Sequence, residues 1–107
     1  MPRRQPFLRA ELSDQFAEAY AGLQIAQQNG VDKVVMALLK QQPTPGMRVK
    51  PMEPDKFYHE ARINDGDRLI HRTADGTVYF VDVVTYDEIG RYGRAPKQTP
   101  GVTGKRR

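Results

Sequence analysis

The chain has 107 residues, 38% of them apolar and 8% aromatic, with no cysteine and a formal charge of +4. That length suits one domain with a modest core; disulfides and thiolate zinc sites are excluded, and no apolar run nears the roughly 20 residues needed to span a bilayer. Residues 90–107 hold six of the 17 basic residues and none of the 13 acidic ones, so residues 1–89 carry 11 positive and 13 negative charges and any polyanion site there must come from local clustering.

The opening MPRRQPF lacks the apolar stretch of a secretory signal, so a cytoplasmic location without membrane contact is expected. FLRAEL (7–12) alternates and reads as a short strand. Ser13 or Asp14 then caps a helix whose apolar residues Phe16, Tyr20, Leu23 and Ala26 run to a stop at Asn29-Gly30. Asp32 caps a second helix with Val34, Val35, Leu38 and Leu39 as its stripe, ended by Pro43. Each helix has one apolar face, so the hairpin must cover something.

After the connector PTPGMRVKPMEP come KFYHEARI (56–63), RLIHR (68–72) and TVYFVDVVTY (77–86), three strand-like runs separated by Asn-Asp-Gly and Asp-Gly turns. The expected fold class is α+β, in the order β-α-α-β-β-β, with a helical hairpin on one face of a small antiparallel sheet. The domain is expected to span 1–92. Residues 93–107, rich in Pro, Gly, Lys and Arg, read as a basic tail.

Register decides which side chains share a face. A three-residue loop Asn64-Asp65-Gly66, with Gly66 left-handed, sets Arg62 opposite Arg68 and Ala61 opposite Leu69, which sorts the strands by polarity. Glu60, Arg62, Arg68, Ile70 and Arg72 then share one face, and Ala61, Ile63, Leu69, His59 and His71 the other. Reading Ala74-Asp75-Gly76 the same way places Arg68 opposite Asp82, puts Tyr86 on the arginine face, and gives Tyr79, Val81 and Val83 to the helix side. Two directly opposed arginines repel unless acids or a bound anion compensate. A phosphate satisfies that need; so does a surface of salt-bridged strand residues. Both histidines fall on the helix side, where a structural role fits better than catalysis or metal binding.

On GMRVKPM (46–52), Arg62 in EARI, DRLIHR and VVTYDEIGRY (83–92), the chain resembles the RelE/ParE superfamily of small bacterial toxins. The nuclease branch implies metal-independent, cofactor-free cleavage of messenger RNA in the ribosomal A site. The resemblance makes Arg68 the phosphate ligand and Arg62 its reinforcement, with Lys50 and Glu60 as base or substrate-positioning groups. Tyr86 stands where relatives often carry histidine, and a phenol suits an acid or orienting group better than a base. Arg48, Arg72, Arg91 and Tyr92 follow as further RNA contacts. The implied partners are a cognate antitoxin, messenger RNA and the ribosome. The missing histidine keeps two other readings open: a ParE-like inhibitor of DNA gyrase or topoisomerase, and a toxin-like module that only binds nucleic acid.

Overall fold

A computed structural model describes residues 7–53 and 56–89. The elements are β1 (Arg9–Leu12), α1 (Asp14–Ala21), α2 (Ile25–Leu39), a 3-10 turn (Pro45–Met47), β2 (Lys50–Pro51), β3 (His59–Arg62), β4 (Asp67–Ala74), β5 (Thr77–Thr85) and a second 3-10 turn (Tyr86–Glu88). The strands form one sheet in the order β1-β5-β4-β3-β2. The α+β architecture expected from the sequence is present, with two departures. β1 lies parallel to β5, so the sheet is mixed, and Lys50–Pro51 in the connector adds a short antiparallel edge strand beside β3. The expected tail lies outside the described residues. No helix among them is long and apolar enough to cross a membrane.

Ser13 caps α1 by accepting from Phe16 N at 2.9 Å, while its hydroxyl donates to Val81 O at 2.7 Å and ties the helix start to β5. The break between helices falls at Gly22 to Gln24, not at Asn29-Gly30, and α2 begins where Gln24 N donates to Gln27 Oε1. Asp32 is therefore interior to α2. Gly30 sits mid-helix because a Cβ there would lie 3.0 Å from Ile63 Cγ2: the missing side chain lets α2 approach the sheet.

Phe16 from α1 and Val31, Val34 and Leu38 from α2 pack on Ala61, Leu69, Val78 and Phe80 of the sheet. The spacing of the α2 residues, i, i+3 and i+7, is one face of a helix. Phe16 centres the layer, its ring centroid 5.8 Å from that of Phe80 and 6.1 Å from that of Tyr20. Across the sheet a second cluster joins Met52, Tyr58, Ile70, Val81 and Val84, with Phe57 and Ile89 packed against it. Met52 N donates to Tyr58 O at 2.8 Å, which folds the connector onto this far face.

The β3–β4 register is as expected, with Arg62 opposite Arg68 and Ala61 opposite Leu69. Gly66, however, is not left-handed. Asn64 closes the loop instead, its Oδ1 accepting from Gly66 N at 2.8 Å and Asp67 N at 2.9 Å. In the β4–β5 hairpin Ala74 pairs with Thr77, leaving a two-residue loop in which Asp75 (φ 53°) and Gly76 (φ 77°) both adopt the positive φ of a type I′ turn. The partners then pass from His71 and Phe80 to Ile70 and Asp82, so Val81 is the extra residue of a bulge. Arg68 consequently faces Val84, not Asp82. Val78, Phe80 and Val83 meet the helices, while Tyr79 stands opposite Arg72 on the other face and Val81 joins the far cluster, both contrary to the parity assigned them from the sequence.

Candidate functional site

Glu60 lies between Lys50 of β2 and Ile70 of β4, with Arg68 on the diagonal. Its carboxylate is nearly buried, and Oε1 stands 3.6 Å from Arg68 Nε. Arg68 is held on a second side: Nη1 donates to the carbonyls of Asn64 (2.7 Å), Asp65 (3.2 Å) and Asp67 (3.0 Å). Its Nη2 has no hydrogen-bond partner among the described residues. Tyr86, 60% exposed at the end of β5, places its ring centroid 4.8 Å from Arg68 Cζ. The same residue is pinned by its backbone, since Tyr86 N donates to Gly66 O at 2.9 Å. Arg62 pairs with the exposed carboxylate of Asp65.

Arg48, Lys50, Glu60, Arg62, Arg68 and Tyr86 together line a cavity of about 170 Å³. All five residues assigned catalytic roles from the sequence meet there, joined by Arg48. Arg48 occupies the left-handed region (φ 47°, ψ 49°) at the end of the first 3-10 turn, which is costly for a residue with a Cβ. Among the described residues, neither Arg48 nor Lys50 has an ion-pair partner. The cavity thus gathers four cationic side chains around one carboxylate, a charge balance suited to an anion.

Arg72 is elsewhere. Its guanidinium stacks over Phe57, 4.5 Å from the ring centroid, and it does not line the cavity. Arg91 and Tyr92 lie outside the described residues. Asp82, expected opposite Arg68, instead lies opposite Ile70 and accepts from Gln15 Nε2 at 2.6 Å.

His59 and His71 pair across β3 and β4 with ring centroids 5.9 Å apart. His71 faces Phe80 in the helix-side core, and both of its ring nitrogens are buried without a hydrogen-bond partner. Burial, reinforced by His59, holds its imidazole down at about 4 from an ordinary 6.5. No group of three or more His, Cys, Asp or Glu side chains suited to a metal ion occurs among the described residues.

No family model and no curated protein matches the chain. Solved structures do. A copper-bound variant of a toxin from Helicobacter pylori superposes with a TM-score of 0.65 at 17% identity, covering 77% of this chain and 98% of the other. The chain has the fold of a bacterial toxin. The DinJ–YafQ toxin–antitoxin complex of E. coli gives 0.64 at 18% identity, over 77% and 96%. The RelBE2 toxin–antitoxin complex of Mycobacterium tuberculosis gives 0.60 at 17%, over 78% and 97%.

The sequence reading missed the role of the Asn64–Asp67 loop, which it treated as a turn only. The signal was there: a loop flanked by two opposed arginines offers them carbonyls as well as a change of direction.

Proposed function

We propose that the protein is the toxin of a toxin–antitoxin pair and acts as an endoribonuclease on messenger RNA engaged by the ribosome. The observation that carries this reading is the convergence of Arg48, Lys50, Glu60, Arg62, Arg68 and Tyr86 on one cavity. The similarity in fold to the DinJ–YafQ and RelBE2 complexes supports it.

Cleavage of RNA through its own ribose needs a base for the 2′-hydroxyl, charge stabilisation at phosphorus and an acid for the leaving oxygen. Glu60 takes the 2′-hydroxyl proton; the new P–O2′ bond forms as the P–O5′ bond breaks, leaving a 2′,3′-cyclic phosphate and a 5′-hydroxyl. Arg68 meets the phosphoryl oxygens through Nη2, the face of the guanidinium turned away from the loop carbonyls. Arg62, Lys50 and Arg48 hold flanking phosphates, and the Tyr86 phenol protonates the departing oxygen. The chemistry calls for no cofactor. The partner that silences such a site is an antitoxin segment laid over the cavity, carboxylates toward the arginines.

A second reading rests on a specific feature: no histidine lines the cavity, which suits a toxin that inhibits DNA gyrase or topoisomerase without cutting, or a module that only binds nucleic acid. Induced expression separates the three. A nuclease halts protein synthesis and leaves discrete transcript ends, and Arg68→Ala restores growth. Arrested DNA replication with intact transcripts would mark the gyrase reading, and harmless expression the binding module.

A further inference from the structure

Arg68 Nη1 donates to three carbonyls of one short loop, and the turn of that loop is closed by the Asn64 side chain. Asn64 Oδ1 accepts from Gly66 N and Asp67 N, while its Nδ2 donates to Asp67 Oδ2 at 3.0 Å. Gln27 Nε2 of α2 reaches the same carboxylate oxygen at 3.2 Å, anchoring the loop to the helical layer. The loop also holds Tyr86 through the Gly66 carbonyl. Without the Asn64 side chain, two loop amides lose their acceptor, and the Asn64 and Asp65 carbonyls are free to turn while Asp67 O stays held by Ile63 N at 3.0 Å.

We infer that Asn64 is a positioning residue: it acts through Arg68, orienting the guanidinium so that Nη2 faces the cavity, and it aligns Tyr86 by the same loop. The catalytic consequence rests on the nuclease reading above; the orientation itself does not. Three carbonyl acceptors shared between the two Nη1 hydrogens hinder rotation of the guanidinium, whereas a freely turning group presents its donors to a phosphate only part of the time.

The test uses the full chain and has two arms. Arginine side-chain nitrogen spectra, assigned with Arg68→Ala, should give distinct, slowly exchanging Nη signals for Arg68 in the wild type and merged signals in Asn64→Ala. In a translating extract, Asn64→Ala should lower kcat about ten- to a hundred-fold with KM nearly unchanged, and should have no further effect in an Arg68→Ala background. The paired swap Asn64→Asp with Asp67→Asn, which restores a donor facing an acceptor, should recover most of the loss. Unchanged Arg68 signals in Asn64→Ala, or losses that simply add in the double variant, overturn the proposal. An inert wild type removes the nuclease reading, and the orientation claim then stands or falls on the nitrogen spectra alone.

Discussion

On the helix side of the hairpin strands stand Ala61, Leu69 and Phe80, all fully buried; on the opposite side stand Glu60, Arg68 and Val84. The first face is closed by α1 and α2 with mainly apolar side chains, and His59 and His71 stand on it as a pair. The second is closed only in part: Met52 of the connector, Tyr58 just before β3 and Ile89 after the second 3-10 turn pack with Ile70, Val81 and Val84, a cluster that does not include Arg68. One strand, β4, serves both purposes through its alternation. Leu69 holds the sheet to the helices while Arg68, one residue away, is left to bind. The core therefore makes the site rigid without entering it.

Breaking the closed face should produce the largest effect. Phe80→Ala removes a ring in contact with Phe16 and is expected to lower the unfolding free energy by about 3–5 kcal/mol, measured by urea denaturation. Breaking the open face should cost less: Arg68→Lys keeps a cation beside the nearly buried Glu60 carboxylate and with it most of the melting transition, while loss of the guanidinium is expected to reduce RNA cleavage about 10²–10³-fold, the loss typical of one donor to a developing anion. If both substitutions unfolded the protein alike, the division of labour between the faces would be wrong.

The more buried of the two histidines on the closed face sharpens the comparison. Unfolded His71 takes up a proton below pH 6.5 and folded His71 only below about 4, so the unfolded chain binds more protons across that interval. Stability should thus fall as pH drops from 6.5 to 4, by up to about 3 kcal/mol from this group, and His71→Leu should flatten the dependence in denaturation curves at pH 7 and 5. The smallest change belongs to the open face. Arg48→Gly relieves a left-handed backbone, so it should raise stability by about 1 kcal/mol while weakening cleavage; a loss of stability would mean that the Arg48 side chain holds the connector.

The opposition of Arg62 and Arg68 was legible in the chain because Ala61 and Leu69 must share the buried side, and only one loop length achieves that. The same polarity argument failed one hairpin later. Val78 and Phe80 have even parity and Val83 odd, a switch that needs a bulge between them, and Asp75-Gly76 already supplied the two positive φ values of a tight turn. The helix break failed for a related reason. Gly22 and Gly30 are identical as local signals, and what distinguishes them is Ile63, thirty-three positions beyond Gly30.

Local preference and alternation, then, determined the two helices and four of the five strands, the partition of β3 and β4 into apolar and charged sides, and the residues able to meet an anion. Only the tertiary structure decided that β1 runs parallel to β5, that Arg48 and Lys50 come beside Arg68 while Arg72 stacks on Phe57, and that the Asn64 loop grips the central guanidinium. Periodicity is a property of neighbours in the chain, whereas a cavity depends on which distant backbones are brought close, and that is fixed by how the layers pack.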